Sequence, residues 1–169
     1  GTGQFLGEEF FRMQYMNFLP YLKDRNEFKK RINLYERQAL LDESLRTLST
    51  VQEKVNFLNA YKDRELYRID LSYLIYHNRT YIQFSEELTD LAEVVIVTAS
   101  RIIFAELSME YGRPMRESSP CLYAILALGK FGGIELGYAS DLEMILIYED
   151  DGFTSGMPAS ISNAEFFNL

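Results

Sequence analysis

The sequence predicts an α+β chain, with a helical bundle over residues 1–113 and the first strands of an α/β domain over 114–169. Two observations predict it. Up to about residue 112, apolar side chains recur at the three- and four-residue steps that line one face of a helix. After Pro114 the pattern changes to two short apolar runs of strand length, Leu122–Leu128 and Leu142–Tyr148, each bounded by glycine or charged residues.

The elements follow in order. Glu8–Leu19, rich in Phe, Met and Tyr, reads as helix until Pro20 interrupts it. A second helical run spans about Glu27 to Leu48, with Ile32, Leu34, Ala39, Leu41, Leu45 and Leu48 as its apolar positions. Ser49-Thr50 then caps a third helix, because Glu53 stands three residues after Thr50 as a capping box requires. That helix carries Val51, Val55, Leu58 and Tyr61, continues through Leu66, Ile69 and Tyr73, and ends near His77-Asn78-Arg79. The clearest helix is expected to start after Ser85, with Glu86 and Glu87 favourable in its first turn. Leu88, Leu91, Ala92, Val95, Ala99, Ile102, Ile103 and Leu107 make its apolar face, and Gly112 followed by Pro114 stops it.

In the second part, Gly129-Lys130-Phe131-Gly132-Gly133 separates the two strand-length runs. Glu149-Asp150-Asp151-Gly152 reads as a solvated turn and 154–160 as loop. Ser162 caps a last helix, with Glu165 in the capping-box position, and the sequence stops at Leu169 about two turns in, as though within an element.

Composition narrows the function classes. The 169 residues are 47% hydrophobic and 25% charged, values that favour a buried core over disorder. With 17 basic against 25 acidic residues and a net charge of −8, the chain has no dense basic run to displace counterions from a nucleic-acid backbone, so a nucleic-acid partner is disfavoured. No apolar run is long enough to span a membrane, and no basic-then-apolar leader opens the sequence. The single cysteine, Cys121, suits a reducing cytoplasm and reads as a small hydrophobe, and the single histidine, His77, as a surface or helix-end residue.

The chemistry is expected between the two strands. If Leu142–Tyr148 and the residues before it form one extended strand, Asp141 and Glu143 project from the same face. Two carboxylates held that close repel unless a cation lies between them, and oxygen ligands beside a phosphate suit Mg²⁺. Gly132 and Gly133 would let backbone N–H groups approach a polyphosphate, with Lys130 as a point charge and Ser140 as a hydrogen-bond donor. Taken alone, a Gly-Gly pair is more often just a turn and an Asp-x-Glu more often a solvated strand face. The pattern is neither a Walker loop nor a Rossmann fingerprint.

Gly132-Gly133, seven residues, then Asp141-x-Glu143 and an apolar run resembles the signature of the DNA polymerase β nucleotidyltransferase superfamily. The longer stretch Ala127 to Glu143 resembles that of the glutamine synthetase adenylyltransferases, Gly-Lys-Leu-Gly-Gly-x-Glu-Leu-Asn-Tyr-x-Ser-Asp-x-Asp. Arg64–Ile69, Glu86–Ala92 and Ser162–Phe167 resemble other segments of the same family, so the likeness covers about residues 28–169. Phe131 replaces Leu, Gly137 replaces Asn, and Glu143 replaces the second Asp, moving its carboxylate outward by about one C–C bond.

The resemblance implies a polymerase β-like nucleotidyltransferase domain beginning near residue 114. It implies Mg²⁺-dependent movement of AMP between ATP and a tyrosine of glutamine synthetase, in either direction. Asp141 and Glu143 would be the catalytic metal ligands, and Gly132, Gly133, Ser140 and Lys130 would bind the phosphates. It also implies a PII-type signalling protein as partner and a third acidic residue on a later strand, without which these residues are expected to be inactive alone. Two other readings stay open: a nucleotidyltransferase with another acceptor, and a catalytically degenerate regulatory or interaction module.

Overall fold

Asn33 sets the first helix among the described residues: its side-chain oxygen accepts a hydrogen bond from the Glu36 amide at 3.0 Å, and helix α1 (Leu34–Arg46) follows. The computed structural model describes residues 30–76, 79–137 and 139–169. The expected helix over Glu8–Leu19 and the residue His77 lie outside these residues. The second helical run was expected from about Glu27; among the described residues it begins seven positions later, because Asn33 takes the capping conformation that periodicity alone does not reveal.

The Thr50–Glu53 capping box forms as expected. The Glu53 amide donates to Thr50 Oγ1 at 3.2 Å, and Glu53 Oε2 accepts from the Thr50 amide at 2.9 Å. One unbroken helix, α2 (Val51–Tyr76), results. Helix α3 (Tyr81–Tyr111) begins earlier than its sequence pattern suggests. Thr80 and Gln83 form a capping box ahead of it, and Ser85 sits buried inside the helix, its carbonyl accepting from the Thr89 hydroxyl at 2.8 Å. Gly112, at φ +78°, ends α3 where expected.

The three helices pack around Leu41, Leu58, Tyr61, Ile69, Phe84 and Leu91. A charged cluster is enclosed with them. Arg37 Nη1 lies 2.6 Å from Glu65 Oε2, Arg68 Nε 3.0 Å from the same oxygen, Arg68 Nη2 3.3 Å from Glu87 Oε2, and Arg79 Nε 2.5 Å from Glu87 Oε1. Arg37, Glu65, Arg68 and Glu87 are all at most 5% exposed. Buried charges persist only when paired, so this network ties α1, α2 and α3 in one register.

Beyond α3, a two-residue ladder pairs β1 (Met115–Arg116) with β2 (Ser119–Pro120). Strand β3 (Tyr123–Leu128) pairs antiparallel with β4 (Glu143–Tyr148) in register Tyr123↔Tyr148 to Leu128↔Glu143. Between them Gly129–Gly132 makes one helical turn, α4, where the sequence suggests only a glycine-rich loop. The final helix, α5 (Asn163–Asn168), carries the expected Ser162–Glu165 capping box. The chain is therefore α+β, helical first and then mixed. At one end of the β3–β4 ladder Phe104 of α3 stacks on Tyr123 of β3, with centroids 5.2 Å apart, and Phe167 of α5 packs tilted against Tyr123 at 5.3 Å. At the other end Leu126, Leu128, Met144 and Ile145 remain exposed.

Candidate functional site

The strand–turn–strand unit holds its residues by close backbone approach. Leu128, at the end of β3, is extended, and Gly129 then turns at φ +51°. A Cβ on Gly129 would stand 2.5 Å from Glu143 Oε2, so the Glu143 carboxylate rests directly over this glycine and any side chain there would displace it. Gly132 has a comparable constraint: a Cβ would meet the Ala127 carbonyl oxygen at 2.5 Å. Its first role is therefore to let α4 fold back onto β3. Gly133 is looser, with ordinary contacts at 3.4 Å and beyond for an added Cβ, and its amide donates to the Gly129 carbonyl at 3.0 Å.

Two apolar residues of the same stretch anchor it to the helices. Phe131 and Leu136 are buried, 6% and 3% exposed, and join the core formed by α2 and α3 with Leu88 and Leu91. Apolar side chains inside a glycine-rich segment are the sequence signal for these two anchors, which the sequence reading does not include. Between Leu136 and β4, a tight turn places Ser140. Its amide donates to the Gly137 carbonyl at 3.2 Å and its Oγ accepts from the Gly137 amide at 3.0 Å, which leaves the hydroxyl proton available to another acceptor.

Asp141 lies in the approach to β4, not in its hydrogen-bonded ladder, which starts at Glu143. The reason is the partner strand: β3 ends opposite Glu143, and Gly129 diverts the chain away, so Asp141 and Leu142 have no rung to join. Only Glu143 is therefore held by the ladder and set against the Gly129 turn, and the strand alternation expected for both carboxylates does not extend to Asp141. Asp141, Glu143 and Lys130 are all exposed. Among the described residues no group of three or more His, Cys, Asp or Glu side chains is placed to hold a metal. An Asp and a Glu at the mouth of a turn suit a hard divalent cation that takes one or two carboxylates and completes its shell with phosphate and water.

The remaining candidates behave as structural groups. Cys121 is buried, its thiol 3.7 and 3.8 Å from the Leu122 and Asp150 carbonyls. The acidic turn does more than solvate itself: Glu149 Oε2 accepts from the Leu122 amide at 3.0 Å and Oε1 pairs with Arg116 at 3.3 Å. No helix among the described residues is long and apolar enough to cross a membrane.

The sequence profile described as glutamate-ammonia ligase adenylyltransferase matches residues 2–169. The chain belongs to this family. A bifunctional glutamine synthetase adenylyltransferase/adenylyl-removing enzyme of Haemophilus ducreyi is 33% identical over 156 residues, covering 88% of this chain and 15% of that protein. The protein of the same description from Alteromonas mediterranea is 32% identical over 131 residues, 77% of this chain and 13% of its own length. That from Burkholderia mallei is 45% identical over 82 residues, 47% of this chain and 9% of its length. This member of the adenylyltransferase family therefore spans about 15% or less of the curated relatives it matches.

Proposed function

We propose that this chain carries the first part of a nucleotidyltransferase site of polymerase β-like arrangement. In this reading a helical domain over 1–113 precedes a nucleotidyltransferase domain that starts at 114. The full-length protein moves AMP between ATP and a tyrosine of glutamine synthetase, in the cytoplasm, under control of a PII-type signalling protein. The single observation that carries the reading is the Gly132-Gly133…Asp141-x-Glu143 signature, standing on a strand–turn–strand in which Gly129 is shaped around the Glu143 carboxylate.

Asp141 and Glu143 are the residues that would hold Mg²⁺, which when bound neutralises phosphate charge and polarises the phosphoryl group. Ser140, one residue before Asp141, offers its hydroxyl proton to a phosphate oxygen, and its Oγ is oriented for this by the Gly137 amide. Lys130, exposed on α4, supplies a mobile positive charge to the same phosphates. Gly133 is exposed and an added Cβ would meet only the Gly129 carbonyl and the Glu135 side chain, at 3.4 Å and beyond, so a phosphate that approaches this turn has to displace the Glu135 side chain. Phe131 and Leu136, buried in the bundle core, fix the position of this surface relative to the helices. In this reading a third acidic ligand completes the site, and Asp141 and Glu143 without it would not transfer AMP.

A specific observation favours one alternative. Glu143 stands where the family pattern has Asp, which suits a site that senses nucleotide without turning it over. Incubation of the full-length protein with Mg²⁺, radiolabelled ATP and glutamine synthetase separates the readings. Label on glutamine synthetase supports transfer; saturable ATP binding without label on any acceptor supports a sensing module; absence of ATP binding refutes both.

A further inference from the structure

A cavity of about 380 Å³ opens between the helical bundle and the segment that leads to Asp141. Leu66 and Asp70 of α2 form one wall, Leu91 and Val95 of α3 a second, and Leu136 and Ser140 the third. The size falls within the range of small-molecule sites, and apart from Asp70, Lys62 and Ser140 the lining offers no polar side chain.

Asp70 is the unusual member. It is half-buried on a wall of leucines, and among the described residues neither a hydrogen bond nor an ion pair reaches its carboxylate. Burial alone pushes its carboxyl up to about 6, with no cation to offset it. The other charged side chain lining the cavity, Lys62, sits two helical turns away on α2 and pairs with Asp63 at 3.2 Å. α3 and the 136–142 segment contribute no charged group to this lining. A carboxylate desolvated without a partner in a mostly apolar cavity, with Lys62 engaged by Asp63, is one half of an ion pair.

We propose that this cavity binds a small organic amine, whose apolar body fills the space between Leu66, Leu91 and Val95 and whose ammonium pairs with Asp70. Ser140 lines the same cavity, so the amine site borders the proposed phosphate-binding turn and shares that one residue with it. The proposal does not rest on the transfer reading, and loss of either leaves the other testable.

Saturation-transfer NMR on the full-length protein, with 2-phenylethylamine as probe and 3-phenylpropanoate as its anionic counterpart, tests it. The amine is expected to bind with a Kd on the order of 1 mM at pH 7.5. Binding should weaken about tenfold in Asp70→Asn, weaken as pH falls through 6 to 5, and weaken at least about tenfold in Ala92→Leu, whose larger side chain intrudes on the cavity. Circular dichroism checks that each variant is folded, and either variant alone decides the matter if the other is not. No saturable transfer to the amine, equal transfer to the carboxylate, or binding unchanged in the folded variants would overturn the proposal.

Discussion

Glu65→Gln isolates the buried charge network that holds the three helices in register. The cluster of Arg37, Arg68 and Arg79 with Glu65 and Glu87 carries three positive and two negative charges, a net of +1. Replacing Glu65 by its neutral isostere raises that to +2 in a region where Arg37 is fully buried and Arg68 is 1% exposed. The single oxygen Glu65 Oε2 accepts from both Arg37, at 2.6 Å, and Arg68, at 3.0 Å. A glutamine keeps one neutral acceptor and turns an amide donor toward guanidinium groups. Removing one member of such a cluster costs about 3–5 kcal/mol, which for a chain of this size lowers the melting midpoint by on the order of 10 °C. Urea unfolding followed by circular dichroism measures it, with an unchanged slope showing that the native state is otherwise retained. Glu43→Gln, which removes an exposed i, i+3 pair with Arg46, serves as the control and should leave the midpoint in place.

The pH dependence adds a second check. Burial opposes ionisation of Glu65, but Arg68 and Arg37 overcome it and hold the carboxyl below the usual range. Its stabilisation is therefore complete above the unfolded-state value of about 4.3 and is lost as pH falls through the lower folded-state value. The difference between wild type and Glu65→Gln should close in acid and stay constant between pH 6 and 8. A cost below about 1 kcal/mol at pH 7 would mean that the network does not hold the helices together as described.

Three further outcomes follow from single contacts. Gly132→Ala forces a Cβ to within 2.5 Å of the Ala127 carbonyl and should destabilise the chain by about 1–3 kcal/mol in thermal unfolding. Gly133→Ala meets only ordinary contacts, so its melting midpoint should stay close to wild type while ATP affinity, measured by calorimetry, falls if phosphates approach there. Asp70→Asn should stabilise the chain at pH 7. The raised carboxyl, at about 6, makes ionisation unfavourable in the folded state, a cost complete above pH 6 and absent below about 4. Discounted for solvent screening of a half-exposed group, the gain is about 1 kcal/mol, and unfolding at pH 7 and pH 4 should show it only at the higher pH.

Much of the fold was legible because local signals and tertiary structure agreed. Thr50 with Glu53 and Ser162 with Glu165 start helices where their spacing says, Gly112 stops one, and the two apolar runs pair as strands. The start of α3 was not legible, because Ser85-Glu86-Glu87 has good cap chemistry but is buried by packing, while Thr80 and Gln83 make the actual cap. Periodicity also missed the charged core. Arg37 and Glu65 are 28 positions apart, and an apolar pattern assigns both to solvent. At the candidate site the residue types were legible and their spacing on β4 was not. Asp141 falls outside the ladder because Gly129 turns the partner strand away, and the tightness of Gly129 and Gly132 reflects backbone contacts that only the folded chain displays.

The central claim is that Asp141 and Glu143 are metal-holding carboxylates of an AMP-transferring site. Its most direct test is the rate of radiolabelled AMP transfer to glutamine synthetase by full-length Asp141→Asn, at saturating ATP and Mg²⁺, with unfolding curves confirming wild-type stability for this exposed position. The account predicts a rate at least about a hundredfold lower. Transfer at the wild-type rate would contradict it.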